Sequence, residues 1–344
     1  MPKKTKKLTF IDLFAGVGGI RLGFEQAGFE CVYGNERDKS AAATYAANHD
    51  DHIDVRDIRE VDVKEIPAHD VLCAGFPCQP FSRAGVSARV SSSRKHGFED
   101  KDQGVMFFEI IRILKYHKPM AVFLENVSNF ERHDKGNTLR TVIKELKAVG
   151  YELKDPRVIN ASLVVPHRRK RIYMIAIRNG VFEFPEIEQQ KHKLADILEK
   201  SAPDTYTISD RLWQSHQERT IRNKKKGNGF AHYVVDFNGV ANTLTSRYGK
   251  DGRENLVPQE GKNPRMLTPR ECARLMGFPE SFKLPATKTP AYRQFGNSVC
   301  VPIIKNLAES LKEQMETPAL PPEEVIHKEE KLLLASMPQM AASG

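Results

Sequence analysis

The sequence predicts a doubly wound α/β fold joined to a second, smaller and irregular domain. Three observations predict it. Short apolar runs alternate with helix-spaced segments from Leu8 to Ile177, and a glycine-rich turn follows the first run. From about Val181 the texture turns polar and irregular, and regular spacing resumes at Met266. A chain of 344 residues has length for about two domains and ample material for a core.

The first unit is the most informative. Residues 8–14 read as a strand, Ala15-Gly16-Val17-Gly18-Gly19 as a turn, and residues 20–27 as a helix closed by Gly28. Residues 29–36 form a second strand that ends in Glu36, 17 residues after Gly19. Strand, glycine turn, helix, strand and acid make the nucleotide-binding half of a doubly wound fold. The glycines admit a ligand close to the backbone, and the acid accepts from ribose hydroxyls. The turn has no third glycine at the spacing that supports a pyrophosphate on a helix terminus. A nucleoside ligand without phosphates fits better than NAD, and S-adenosylmethionine is the leading candidate.

Further along, residues 54–58 read as a strand with Asp57 at its end, placed to accept from an adenine amino group. A helix N-cap at Asp57 is the other reading. The run Val71-Leu72-Cys73 is a short buried strand, Gly75 starts a turn, and Pro77 fixes the backbone before Cys78. Cys78 is either a small residue capping that strand or a nucleophile at the carboxyl edge of the sheet. The serine-rich basic segment 83–95, with Arg89, Arg94 and Lys95, is too long for an ordinary connection and reads as either an active-site lid or a disordered segment.

Residues 104–116 have helical spacing, 120–124 form a buried strand running into Glu125-Asn126-Val127, and 138–149 are a helix closed by Gly150. Burial after five apolar residues would raise the Glu125 pKa, so that it can serve as an acid near neutrality; a strand-end salt bridge is the plainer alternative. The cluster Pro166-His167-Arg168-Arg169-Lys170-Arg171 feeds a strand at 172–177 and brings cations to the same edge. Thr268 caps a helix with Pro269 at its first position, and Gln294-Phe295-Gly296-Asn297-Ser298-Val299 leads into a last helix ending near Met315. Residues 318–344, rich in Pro, Glu and Lys, read as a mobile tail.

Composition bounds the class. Hydrophobic content of 40% with 28% charged residues is that of a globular domain, and no apolar run is long enough to span a membrane. Five scattered cysteines argue against a disulfide framework, no pair has metal-site spacing, and the basic N-terminus lacks the apolar core of a signal peptide. These point to a reducing cytoplasm and to no metal. The net charge of +9 suits a polyanionic partner.

Together these stretches closely resemble the DNA (cytosine-5) methyltransferases of bacterial restriction-modification systems. The resemblance rests on Asp12-Leu13-Phe14-Ala15-Gly16-x-Gly18-Gly19, Gly75-Phe76-Pro77-Cys78-Gln79, Glu125-Asn126-Val127, Pro166-x-x-Arg169-x-Arg171, residues 270–277 and residues 294–299, all in the family's order. It implies a doubly wound, Rossmann-like S-adenosylmethionine-dependent methyltransferase domain plus a small, irregular target-recognition domain. Residues 1–180 and 265–317 would form the catalytic domain from both ends of the chain, with 181–264 for target recognition.

The resemblance also implies roles. Cys78 would add to position 6 of a flipped-out cytosine, Glu125 would hold or protonate ring nitrogen 3, and Arg171 with Arg169 would steady the base's carbonyl oxygen and the carboxylate. Phe14, Gly16, Gly18, Glu36, Asp57, Ile58, Pro77, Asn297 and Ser298 would hold S-adenosylmethionine, leaving S-adenosylhomocysteine as product. Gln79, Ser82, Arg94, Lys95, Thr243 and Arg247 would meet double-stranded DNA, with Thr243-Leu244-Thr245 as the anchor between domains. The enzyme would act as a monomer without an obligate protein partner, beside a companion restriction endonuclease. The segment 84–98 is similar to the loop of enzymes recognising sites such as CCGG or CCWGG. His167 stands where the family commonly has glutamine, and Val105 where threonine is usual. An RNA cytosine-5 methyltransferase and an inactive DNA-binding homologue are the rivals. Against the first, no cysteine lies between Cys78 and Cys272; against the second, Cys78, Glu125, Arg169 and Arg171 are all kept.

Overall fold

The computed structural model describes residues 7–49, 53–77, 103–227, 231–250 and 252–317, with backbone alone at 103–105. Cys78, Gln79, Ser82, Arg94, Lys95, the segment 83–95 and the tail 318–344 lie outside the described residues, as does the Val105 side chain.

Six strands form one sheet: β1 (Thr9–Leu13), β2 (Glu30–Asn35), β3 (Val71–Gly75), β4 (Ala121–Val127), β5 (Arg157–Asn160) and β6 (Lys170–Ile177). Their order is β2-β1-β3-β4-β6-β5. β1 to β4 run parallel, while β6 is antiparallel to both β4 and β5. Alternation along each strand sends side chains to two separate cores. Leu72, Ala74, Val122 and Leu124 join one face with residues of α3 (Gln103–His117) and α4 (Asn137–Ala148). Val71, Cys73, Ala121 and Phe123 join the other with α1 (Gly19–Gln26) and the last helix, α8 (Val301–Glu316). Parallel strands buried on both faces are what a doubly wound sheet requires. Helices α1 and α8 pack directly together, and Gly23 makes this possible, because a Cβ there would overlap the Ile304 side chain.

Two sequence expectations are corrected. Residues 54–58 are not a strand: Asp54 makes a single bridge to Asn35, and Asp57 caps a short 3-10 turn (Ile58–Glu60), accepting from Arg59 N. The capping competes successfully because Asp57 lies beside an unsatisfied backbone amide. The region after 181 is also more regular than its sequence suggests. It contains the 16-residue helix α5 (Asp210–Lys225), capped by Ser209, and a hairpin of β7 (Leu256–Gln259) and β8 (Lys262–Met266). α5 buries only His216 and so has no apolar stripe to read, and Pro258 and Pro264 disguise the hairpin.

This region packs with the segment that follows it. Leu194, Leu244, Tyr248 and Val257 share a core with Leu267 and Cys272 of the next stretch, and with Phe295 of α7 (Lys288–Asn297). α6 (Pro269–Leu275) starts as its sequence predicts: Thr268 and Glu271 form a reciprocal capping box, with Pro269 in the first turn. The buried Glu271 also takes a two-pronged ion pair from Arg265, at 2.7 and 2.8 Å.

Candidate active site

A cavity of about 550 Å3 opens at the carboxyl ends of β1 to β4. Each strand contributes residues at its carboxyl end or just beyond it. After β1 comes Phe14, a non-glycine residue at φ +56°, then Gly16 at +58° and Gly18 at +84°. Both Phe14 and Gly16 line the cavity, and a Cβ at Gly16 would meet nothing within 4 Å, so this turn presents bare backbone to a ligand. Gly18 is different. It is absent from the wall and sits at the head of α1, where a Cβ would overlap the His49 ring. Its part is to let α2 (Lys39–His49) close against the turn from behind.

After β2 comes Glu36. Its carboxylate accepts from Gly16 N at 2.9 Å and Asp38 N at 2.6 Å, which ties the second strand's acid to the first strand's turn. Burial raises its pKa against the pull of those two amides. Asp57 and Ile58 form a third side of the wall. Arg59, with Arg37 at 2.9 Å, holds the Asp57 carboxyl well below its ordinary range, so this acid is an ion-pair partner as well as a cap. Pro77, Asn297 and Ser298 also line the cavity. Sequence reasoning missed Arg37, Asp38 and Arg293 at this wall; Arg293 pairs with Asp38 at 2.8 Å. No local pattern announces them, because the pair is made across 255 residues of chain.

Beneath the turn, Asp12 on β1 is fully buried, and burial pushes its pKa up to about 8 despite the nearby charge of Arg21. The unfolded chain releases that proton near pH 4. Between roughly pH 4 and 8 the native chain therefore holds a proton that the unfolded chain lacks, and stability falls as pH rises, by up to about 1.4 kcal/mol per unit. Asp12→Asn removes the dependence. It is expected to raise the urea midpoint at pH 8.5 and to lose that advantage toward pH 5. An equal difference from wild type at both pH values would count against this assignment.

The reactive end of the cavity is built on β3, β4 and β6. Gly75 pairs with Glu125, and Glu125 pairs with Tyr173, so Arg171, two residues before Tyr173, falls on the face of Glu125. Its Nε lies 3.1 Å from Glu125 Oε1. Glu125 is 8% exposed, and burial raises its pKa, with Arg171 and then Arg169 opposing. Asn126 donates to the Phe76 carbonyl at 3.0 Å, which pins the turn that carries the chain through Pro77 toward Cys78.

Arg169 and Arg171, expected together at the reacting group, are divided by the structure. Arg171 lines the cavity. Arg169, 1% exposed, does not: its guanidinium donates to the carbonyls of Leu244 at 3.0 Å, Gly296 at 3.1 Å and Ser298. A buried guanidinium needs acceptors, and backbone carbonyls supply them here for its two terminal nitrogens. Burial and the charge of Arg171 bring its pKa down to about 9, which leaves it charged at neutral pH. Thr243, expected at DNA, uses its hydroxyl on the Arg168 carbonyl at 2.6 Å, and Arg247 is exposed; neither is part of the cavity wall. His167 is fully buried and kept neutral by burial, and its Nε2 accepts from Leu244 N at 3.0 Å. That is a bond a glutamine carbonyl could equally accept.

The fold and this wall define a class: an α/β enzyme with a nucleoside-sized cavity at the carboxyl edge of its sheet and a buried acid–arginine pair at one end. The chain belongs to the C-5 cytosine-specific DNA methylases, whose family model matches residues 8–313. It is 47% identical over 307 residues to the Type II methyltransferase M.NlaX of Neisseria lactamica, covering 88% of this chain and 95% of that one. To the Type II methyltransferase M.HpaII of Haemophilus parainfluenzae it is 38% identical over 340 residues, covering 91% and 92%. Among solved structures, the S. pombe Dnmt2 methyltransferase superposes with a TM-score of 0.72 at 21% identity, covering 91% of this chain and all of that one. That likeness is one of fold. The protein is thus a DNA (cytosine-5) methyltransferase of the restriction-modification type. No helix among the described residues is long and apolar enough to cross a membrane.

Proposed function

We propose that the chain methylates ring position 5 of a cytosine flipped out of a short double-stranded DNA sequence, through a covalent bond between Cys78 and ring position 6. The observation that carries this reading is one continuous wall. It runs from Phe14, Gly16 and Glu36, suited to a nucleoside, to Glu125 and Arg171, suited to a pyrimidine ring.

S-adenosylmethionine fits the first part of the wall, and when bound it supplies the electrophilic methyl group. Glu36 has lone pairs left for ribose hydroxyls, Phe14 and Ile58 offer apolar faces to adenine, and Pro77, Asn297 and Ser298 border the methionine end. The Cys78 thiolate bonds to ring carbon 6, and the ring's electrons move toward carbon 5 and nitrogen 3. Glu125, whose pKa burial raises against the pull of Arg171 and Arg169, serves as the proton donor to nitrogen 3 as charge gathers there. Arg171 holds Glu125 in place and faces the ring carbonyl oxygen. After methylation the proton on carbon 5 leaves to water, the Cys78–carbon 6 bond breaks with its electron pair returning to sulfur as thiolate, and nitrogen 3 gives its proton back to Glu125. Flipping the base costs a few kcal/mol, offset by pocket and phosphate contacts. We place target choice in residues 181–264, with the exposed Arg247 among the groups available to DNA, and infer that the enzyme acts as a monomer.

The deciding experiment is transfer of labelled methyl from S-adenosylmethionine to unmethylated genomic DNA, followed by position-resolved bisulfite sequencing. Label at position 5 of cytosine in one short motif is expected. Label on RNA alone would overturn the reading, as would folded protein that binds S-adenosylmethionine without transferring to either polymer. A narrower prediction concerns Glu36. Because its carboxylate makes charge-assisted bonds, worth about 1.5–3 kcal/mol, Glu36→Gln is expected to weaken S-adenosylmethionine binding about 10- to 100-fold in calorimetry. Unchanged affinity would remove Glu36 from the site.

A further inference from the structure

The buried Arg169 guanidinium joins three stretches that are distant in sequence. Leu244 lies in the variable region, whereas Gly296 and Ser298 belong to the segment whose Asn297 and Ser298 side the cavity. The two stretches are also in direct backbone contact. A Cβ at Gly296 would overlap the Thr245 carbonyl and the Ser246 amide. Around this contact, His167 accepts from Leu244 N and Thr243 donates to the Arg168 carbonyl. Residues 167–169 thus hold the Leu244 backbone and the Thr243 hydroxyl on one side while Arg169 holds the carbonyls of Gly296 and Ser298 on the other. Displacing 243–245 must therefore move the carbonyls of 296 and 298, or break bonds made by a guanidinium that has no access to water.

We propose that Arg169 is a positioning residue that couples occupancy of the DNA-facing region to the fit of the S-adenosylmethionine site, through the carbonyls of Leu244, Gly296 and Ser298. It rests on the methyltransferase reading above. Among the described residues Arg169 is not part of the cavity wall; it holds the Asn297–Ser298 wall in the position that the 243–245 segment dictates. Because coupling between two ligands is reciprocal, DNA and cofactor should each strengthen the other's binding. A lysine keeps the charge but offers its donors from one point, so it cannot span three carbonyls.

The test measures the dissociation constant of S-adenosylhomocysteine by calorimetry. It is read alone and with a duplex carrying the bisulfite-mapped target, for wild type and Arg169→Lys. Wild type is expected to bind at least about 5-fold more tightly with the duplex, the lower end of ordinary coupling. In Arg169→Lys that factor should fall toward one, and the KM for S-adenosylmethionine should rise about tenfold while kcat at saturation changes less than threefold. A merely structural role would lower the thermal midpoint and leave the coupling factor of the folded protein intact, and that result overturns the proposal. So does a wild-type factor near one. If Arg169→Lys does not fold, Thr243→Ala, which removes one hydroxyl bond to the Arg168 carbonyl, must reduce the coupling at least twofold; full coupling in that variant overturns the proposal. Wild type that fails to bind S-adenosylhomocysteine and to transfer methyl would instead overturn the methyltransferase reading on which it rests.

Discussion

Cys78→Ser is expected to transfer methyl at least about 10^3-fold more slowly than wild type while binding S-adenosylmethionine with unchanged affinity. A thiolate is the stronger nucleophile and is far easier to form near neutral pH than an alkoxide. Without the bond to ring position 6, carbon 5 of cytosine has too little electron density to take a methyl group at a useful rate. The separation of rate from binding matters, because in the proposed mechanism the cavity lined by Pro77 holds S-adenosylmethionine whereas the thiol serves the base. A duplex carrying 5-fluorocytosine offers a second readout. Its position-5 fluorine cannot leave as a proton does, so wild type should form a denaturation-resistant adduct after methyl transfer and Cys78→Ser should form none. Near-wild-type transfer by the variant would remove the covalent step.

The second large effect is expected at Glu125. Glu125→Gln should lower kcat about 10²- to 10⁴-fold, the span that a positioned general acid contributes. Its pH behaviour distinguishes an acid from a mere hydrogen-bond partner. Burial holds the Glu125 pKa above its ordinary value while Arg171 and Arg169 pull it down. As pH rises through the native pKa the carboxyl loses the proton it is to donate, so kcat should fall on the alkaline side, even as Cys78 gains thiolate. Glutamine cannot titrate, so the variant should lose that alkaline limb and keep the acid limb set by the thiol. An alkaline limb that survives in Glu125→Gln would assign it to another group. Arg171 cannot substitute for the missing acid: its Nε, 3.1 Å from Glu125 Oε1, orients the carboxyl and has no proton to give near neutrality.

Much of this was readable from the sequence, for a physical reason common to each case. A glycine turn after an apolar strand, an acid at the next strand's end, a proline before a cysteine and an acid after five apolar residues are all short-range patterns. Backbone conformation and strand burial act over a few residues and leave their mark there. Phe14, Gly16, Glu36, Asp57, Ile58, Pro77, Glu125, Arg171, Asn297 and Ser298 all line one cavity, although they come from segments spread over the whole chain. Alternating strand and helix patterns likewise sufficed for the doubly wound sheet.

What the sequence left open depends on contacts between distant segments. Arg169 and Arg171 share one motif and one face, yet three carbonyls up to 129 residues away hold the first while Glu125 holds the second. Thr243 resembled a group free to meet DNA until its hydroxyl was placed on the Arg168 carbonyl, 75 residues back in the chain. α5 had no apolar stripe because little of it is buried, and Arg293 meets Asp38 only when the return segment closes against β2 and α2. By itself the sequence determined most of the residues that line the cavity and the strand ends at which they stand, since those follow from local backbone and burial. Only the tertiary structure decided which cation lines the cavity and which is bound into the scaffold, because a buried charge takes its place from the acceptors that folding brings to it.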